Sequence, residues 1–392
     1  MIPTKPVYKP NCPNFSSGPC KKPPDWTLDI LQEALLGRSH RSQSGKERLS
    51  TLIQTTKEVL EIPDDYRVGI VPASDTGAVE MAMWSLFGSR PVELIAWEAF
   101  GLDWKTDVLE QLEIPSNKHI ADFGQMPDLS RVNFDNDVVF TWNGTTSGVC
   151  VPNGDFIPEL RGGLTLCDAT SAVFAMDLPW KKLDVTTFSW QKVMGGEAGH
   201  GMIILSPRAV DRLESWQPKW PLPKIFRMTK DGKLIEGIFE GATINTPSML
   251  CVEDFLYSLS WGKSQGGLQG LVAKTKANAE VIERFVAEND WLDYLPSLPE
   301  IRSTTSVCLK FTHSLLNADN MTDFSKRVVA RLENEEVAFD IKNYKKAPPG
   351  LRIWCGATVE KEDLELLMPW LKWAFETEIG LLEQGQLAGM KS

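Results

Sequence analysis

Histidine is scarce and scattered in this 392-residue chain: His40, His119, His200 and His313 stand far apart. The seven cysteines, at 12, 20, 150, 167, 251, 308 and 355, form no Cys-x-x-Cys pair. Without clustered ligands, no protein-held metal is expected. An odd, dispersed set of thiols fits reduced cysteines in a cytoplasmic protein rather than a disulfide framework. No apolar run reaches the roughly 18 residues that a membrane helix needs. Prolines at positions 3, 6 and 10 fall where a secretory signal would carry its apolar segment, so no leader is expected. Positive charge is also short. Lys and Arg number 41 against 52 Asp and Glu, a formal net charge of −11. Binding a phosphate backbone requires a basic face, so nucleic acid is excluded as a main partner. A small anionic substrate is not, because it senses only the local field of its pocket.

What is present is a large apolar fraction, 42% of residues, enough for sizeable cores. On the usual scale of about 150 residues per domain the length suggests two or three domains. Residues 1–25, rich in Pro, Ser and Gly, read as an extended N-terminal arm. Across 26–260, short apolar runs alternate with helical patterns. The runs 68–71, 93–96, 138–141, 164–167, 185–188 and 202–205 look like strands buried on both faces, and 76–86 and 104–112 carry helical periodicity. Such alternation predicts an α/β domain with a mainly parallel sheet, in which ligands bind at the carboxyl ends of strands. An amphipathic helix over 273–286 leads into a smaller α+β domain, 261–392, with a strand at 307–311 and helices at about 323–333 and from 360. No internal repeat is found.

The most informative segment is Ser189-Trp190-Gln191-Lys192. It follows the β-branched run 184–188 and precedes Gly195-Gly196, so a lysine stands at the end of an interior strand. A strongly hydrated ε-amine rarely sits there without a task. The chemistry it suits is a Schiff base with an aldehyde cofactor. That chemistry also needs a carboxylate, an anion site and a flat partner for a ring. Asp168, ending the preceding strand 24 residues upstream, supplies the carboxylate, unless it merely caps the turn 168–171. Ala73-Ser74-Asp75-Thr76-Gly77, where a strand turns into a helix, offers free N–H groups and hydroxyls to a phosphate. Asp75 would repel a phosphate if it pointed inward, so it is expected to cap the helix or face away. Phe100 or Trp104 would stack on the ring, with Gly101 favouring Phe100, though either could be core. Thr145, in the polar loop 143–148, would reach the cofactor's oxygens, unless the loop is a plain turn.

Taken in order, Asn14-Phe-Ser-Ser-Gly-Pro19, Ser39-His-Arg-Ser42, the Asp168 and Lys192 pair, and Ile244-Asn-Thr-Pro-Ser248 resemble the phosphoserine aminotransferases. These are class V members of the fold-type-I pyridoxal-phosphate enzymes, with a mainly parallel seven-stranded sheet in the large domain. Pro72–Gly77 and Gly350-Leu-Arg-Ile-Trp-Cys355 are similar to the branch found in archaea and some proteobacteria. The resemblance implies pyridoxal 5'-phosphate held through Lys192, with Asp168 on the ring nitrogen and Thr145 and Gln191 on its oxygens. Asn245 and Thr246 would reach the cofactor phosphate of a neighbouring subunit, which implies a homodimer. Arg352 would clamp the substrate α-carboxylate, and His40 and Arg41 would meet the substrate phosphate or glutamate's distal carboxylate. In the better-known bacterial branch a His-Arg pair precedes the carboxylate-binding arginine, and an Arg stands in the phosphate loop. Here Lys345-Lys346 and Ser74-Asp75-Thr76 stand instead, so either lysine is a weaker anion contact or a solvated loop residue. The implied reaction exchanges an amino group between L-glutamate and 3-phosphohydroxypyruvate, in serine and potentially pyridoxine biosynthesis. The rival readings are a serine- or alanine-glyoxylate aminotransferase and a non-catalytic scaffold of the same fold.

Overall fold

The computed structural model describes residues 3–32 and 34–389. Its centre is a seven-stranded sheet built from β1 (Arg67–Pro72), β2 (Val92–Ala96), β3 (Ser116–Ile120), β4 (Asp137–Thr141), β7 (Thr165–Asp168), β8 (Val185–Ser189) and β9 (His200–Leu205). Two-residue strands β5 (Asn143–Gly144) and β6 (Val149–Cys150) form a separate ladder. The spatial order is β1-β9-β8-β7-β4-β2-β3. Strands β8, β7, β4, β2 and β3 run parallel, and β9 is antiparallel to both β8 and β1.

Both faces of this sheet are covered, which is why its strands read as unbroken apolar runs. Alternate residues serve opposite faces. Val138, Phe140, Met202 and Ile204 join one apolar cluster, and Val139, Ile203 and Leu205 join the other. The exception is β3. Its sequence, Ser-Asn-Lys-His-Ile, is polar and largely exposed, so apolar runs gave only six of the seven strands. It pairs through its backbone and through buried Glu93, which accepts from Asn117 Nδ2 at 2.7 Å.

The helices are α1 (Gln43–Val59), α2 (Ser74–Leu86), α3 (Ala99–Thr106), α4 (Pro207–Ser215), α5 (Met249–Ser264), α6 (Gly267–Ala287), α7 (Met321–Asn334) and α8 (Lys361–Gly389). Helix α3 begins five residues before the periodicity suggests and passes into a π-turn over Asp107–Gln111. The hairpin β10 (Thr229–Lys230) and β11 (Lys233–Leu234) precedes α5. A second, antiparallel sheet of β12 (Leu292–Tyr294), β13 (Ser306–Phe311) and β14 (Leu351–Trp354) packs with α6 to α8. The N-terminal arm is not loose. Pro13 O accepts from Phe339 N at 2.8 Å, Phe15 O from Trp354 N at 3.2 Å, and Gln191 O from Cys20 N at 2.8 Å. The arm therefore ties the small sheet to the segment carrying Lys192.

One buried ion pair holds the large sheet to α4. Arg212 donates to both Asp137 oxygens, at 2.9 and 3.2 Å, and Asp137 is fully buried. Removing the guanidinium leaves a buried carboxylate with one backbone donor, Leu164 N. Arg212→Ala is expected to cost about 3–5 kcal/mol in denaturant unfolding. A loss under about 1 kcal/mol, the value of a surface pair, would show that water replaces the arginine.

Candidate active site

Parallel strands present their carboxyl ends along one edge, and the predicted site residues gather there. Strand β7 ends at Asp168 and its neighbour β8 ends at Ser189, three residues before Lys192. Trp190 fixes this segment: its ring lies between His200 (4.7 Å) and Phe255 (4.9 Å), stacked on both. After β1 the chain enters α2 through Ala73 (φ 66°) and Ser74 (φ 55°), two non-glycine residues in the left-handed region. Such strain concentrates at functional turns, and here it aims the amino end of α2 at the strand edge. A Cβ at Gly201, opposite on β9, would strike Ser74 O, so glycine is required there.

Ser74, Asp75, Thr76, Phe100, Trp104, Thr145, Asp168, Gln191 and Lys192 all line one cavity, which encloses about 490 Å³, part of it open to solvent. Larger grooves lie elsewhere, one around Trp216 and Trp220, so volume does not select the site. Unmet polar demand does. Six buried oxygens of the cavity lack a protein partner: Asp75 Oδ1, Thr141 Oγ1, Asn143 Oδ1, Thr170 Oγ1, Ser189 Oγ and Gln191 Oε1. Buried polar atoms in folded proteins are nearly always satisfied, so this lining calls for a ligand rich in donors and acceptors. A phosphorylated pyridine aldehyde fits it, with Lys192 as the amine, Asp168 as the ring-nitrogen carboxylate and the amino end of α2 for the phosphate.

The charges are set by burial. Burial pushes the Lys192 amine below its usual value and Arg352 acts the same way, while Cys20, Asp168 and Glu98 oppose them. Its Nζ donates to Ser17 O of the arm. Asp168 receives Trp104 Nε1 at 3.2 Å on one oxygen and Thr170 N at 3.1 Å on the other. Trp104 therefore meets Asp168 through its edge. Phe100, at the start of α3, packs instead against Tyr344 at 5.8 Å. Tyr344 in turn lies 6.0 Å from the Arg352 guanidinium. Arg352 is held on β14 opposite Cys308, and its Nε is buried without a partner.

Asp75 departs from expectation. It neither caps α2 nor faces away; it is buried against Asp168, and burial first, then that second carboxylate, raises its pKa well above the usual range. The reason is geometric: the left-handed turn at residues 73–74 rotates the first helical side chains towards the sheet edge. Thr145 Oγ1 donates to Ser171 at 2.8 Å, and its loop is pinned by Ser306 Oγ on Thr145 O at 2.7 Å.

The remaining predicted residues lie outside this cavity. His40 and Arg41 line a separate shallow pocket with Gly241, Ala242 and Thr243, and Thr243 Oγ1 donates to Asn245 O at 2.7 Å. His40, Arg41, Asn245 and Thr246 thus gather in one region of the same chain. Slight burial, then Arg41, lowers the His40 pKa, so its neutral Nε2 accepts from Arg41 Nε at 3.3 Å. Lys345 is exposed, and Lys346 pairs with Asp103 of α3 at 3.0 Å on the surface.

Several contributors escaped the sequence, among them the cavity-lining Thr141, Asn143, Thr170, Ser171 and Ser189. Ser17 and Gly18 of the arm cover Lys192, and any side chain at Gly18 would collide with its Nζ. Tyr344 adjoins the two lysines that drew attention instead. Glu98 caps α3, accepting Gly101 N at 2.7 Å and Thr146 Oγ1 at 2.8 Å, and burial raises its pKa to about 7. An acidic residue three before Gly101, at a strand-to-helix turn, was the available signal.

No family model matches the chain. It is 58% identical over 373 residues to a phosphoserine aminotransferase of Methanosarcina mazei, covering 95% of this chain and 99% of that one. The identity to the Methanosarcina barkeri protein of the same name is also 58%, over 372 residues, with the same shares of each chain. Among solved structures, a phosphoserine aminotransferase from Cytophaga hutchinsonii superposes with a TM-score of 0.79 at 21% identity, over 91% of this chain and 97% of that one. An alanine–glyoxylate aminotransferase from Nostoc reaches 0.76 at 16% identity, over 95% and 97%, so this fold is shared by more than one activity. The near-complete coverage at 58% identity decides between them: the chain belongs to the phosphoserine aminotransferase family, pyridoxal-phosphate-dependent transaminases of the α/β fold described above.

Proposed function

We propose that the chain transfers the amino group of L-glutamate to 3-phosphohydroxypyruvate, giving 2-oxoglutarate and O-phospho-L-serine. The observation that carries this reading is the convergence of Lys192 and Asp168 from neighbouring strand ends onto one cavity, in a chain with 58%-identical relatives of that name. Pyridoxal 5'-phosphate, when bound, supplies the electron sink for the substrate Cα. The protein's part is to place and move protons and charges. Lys192 Nζ, whose pKa burial lowers towards the neutral amine, takes the Cα proton and gives it back on the cofactor side. Asp168 would balance a positive ring nitrogen, and Phe100, which lines the cavity, would pack against the ring. Ser74 and Thr76 hydroxyls and the N–H groups of α2 receive the cofactor phosphate. Arg352 binds the α-carboxylate as a planar fork.

The same reading takes the enzyme as a cytoplasmic homodimer with shared sites. Support comes from Arg41, Asn245 and Thr246, which gather away from their own chain's cavity and would complete the partner's. Lys346, already paired with Asp103, is assigned to that surface pair rather than to substrate phosphate.

The test compares amino acceptors with glutamate as donor. A site built for a phosphate rejects an acceptor lacking it, so kcat/KM for 3-phosphohydroxypyruvate should exceed that for glyoxylate by at least about a hundredfold. Preference for glyoxylate would transfer the chain to the glyoxylate-specific class.

A further inference from the structure

Asp75 and Asp168 place two carboxyls in one buried site, a costly arrangement unless they share a proton. The two are not equivalent. Asp168 is served by an indole N–H and a backbone N–H, one on each oxygen. Asp75 lines the same cavity as Asp168, is buried, and has one oxygen with no partner. The groups facing the pair are Cys167 from β7, Thr170 just beyond it, Thr187 from β8, Glu98 from the turn after β2, and Lys192 beyond β8. The amino end of α2 favours an ionised Asp75. Burial and the second carboxylate outweigh it. His200, on β9 behind α2, is itself buried, and burial lowers its pKa, so it brings no compensating charge.

We propose that Asp75 holds a proton at neutral pH and donates it to Asp168, so that the pair presents a single negative charge to the cofactor ring and Asp75 presents none to the cofactor phosphate. Asp75 is thereby a positioning residue: it acts on the cofactor through Asp168. This explains how an aspartate can stand inside a phosphate-receiving turn. The inference rests on the pyridoxal-phosphate reading of the cavity.

The test uses pyridoxamine 5'-phosphate, whose binding needs no bond to Lys192, on the apoenzyme and its Asp75→Asn and Asp75→Ala variants. The asparagine amide mimics the protonated carboxyl and keeps a donor for Asp168. Asp75→Asn should bind within about threefold of wild type, and Asp75→Ala at least about tenfold more weakly, the ordinary value of one lost hydrogen bond to a charged group. An ionised Asp75 predicts the reverse: removing a second negative charge would tighten Asp75→Asn at least about tenfold. That result, or equal binding by the two variants, overturns the proposal. Infrared difference spectra of apoenzyme and Asp75→Asn at neutral pH give a second readout that survives poor folding of the alanine variant. A protonated carboxyl band must be present in the wild type and missing from the variant; its absence from both also overturns the proposal. Failure of the wild type to bind pyridoxamine 5'-phosphate at all would instead refute the cofactor reading.

Discussion

Lys192→Ala is expected to abolish transamination, with kcat lower by at least about 10⁴-fold, because in the proposed function one amine serves as both nucleophile and proton carrier. The variant should also fail to develop visible absorption on addition of pyridoxal 5'-phosphate, while still binding pyridoxamine 5'-phosphate. That separation matters, because Lys192 Nζ also donates to Ser17 O and the change could loosen the arm. Turnover approaching that of the wild type would remove Lys192 from the chemistry. A stability consequence follows from the same burial. The folded state lowers the Lys192 pKa, so between that value and the unfolded value of about 10.4 the unfolded chain binds more protons. Stability contributed through this group therefore rises with pH across that window. Denaturant unfolding of the two apoproteins at several pH values should show wild type gaining on Lys192→Ala as pH rises towards 10. No relative change would mean that Lys192 is as hydrated folded as unfolded.

The cofactor half of this site was legible in the sequence because each of its members stands within a few residues of a strand end. Asp168, Lys192 and the turn at 73–77 follow apolar runs, and a parallel sheet delivers such ends to one edge. Phe100 and Trp104 were legible as a pair but not in their roles, since the difference depends on which way each indole or phenyl edge turns. Trp104 found Asp168, and Phe100 found Tyr344. Asp75 was misread because its direction depends on two left-handed residues, and nothing local in Ala73-Ser74 demands φ above zero. Polar β3 was invisible to hydrophobic pattern for a related reason: an edge strand is stabilised by backbone pairing and by Glu93, not by burial of its own side chains. The arm's motif at residues 14–19 marked the resemblance, but its contact with Lys192 was beyond reach. Ser17 meets Lys192 across 175 residues of sequence, and periodicity carries no information at that separation.

Arg352→Ala is expected to lower kcat/KM by about 10²–10³-fold for glutamate and for the keto-acid acceptor alike. Both carry a carboxylate beside the reacting carbon, and a bidentate guanidinium–carboxylate pair in a partly dry site is worth roughly 3–4 kcal/mol. The structure gives the reason to choose Arg352 over the nearby lysines. Its Nε is buried without a protein partner and its charge reaches Lys192, whereas Lys346 is committed to Asp103 and Lys345 is exposed. Tyr344 lies near both the guanidinium and Phe100, so the proposed carboxylate clamp and the proposed ring-stacking residue share a support. Arg352→Lys should recover only part of the loss, because an ammonium restores the charge without the fork. The change should fall mainly in KM if the contact is equally strong before and during proton transfer, and in kcat if the carboxylate must be turned to present its Cα proton to Lys192. A loss smaller than about fivefold for both substrates, the value of a solvated ion pair, would show that another group binds the carboxylate. A loss confined to glutamate would place Arg352 on the distal carboxylate instead, and would move the α-carboxylate contact towards the arm residues Ser17 and Gly18 that cover Lys192.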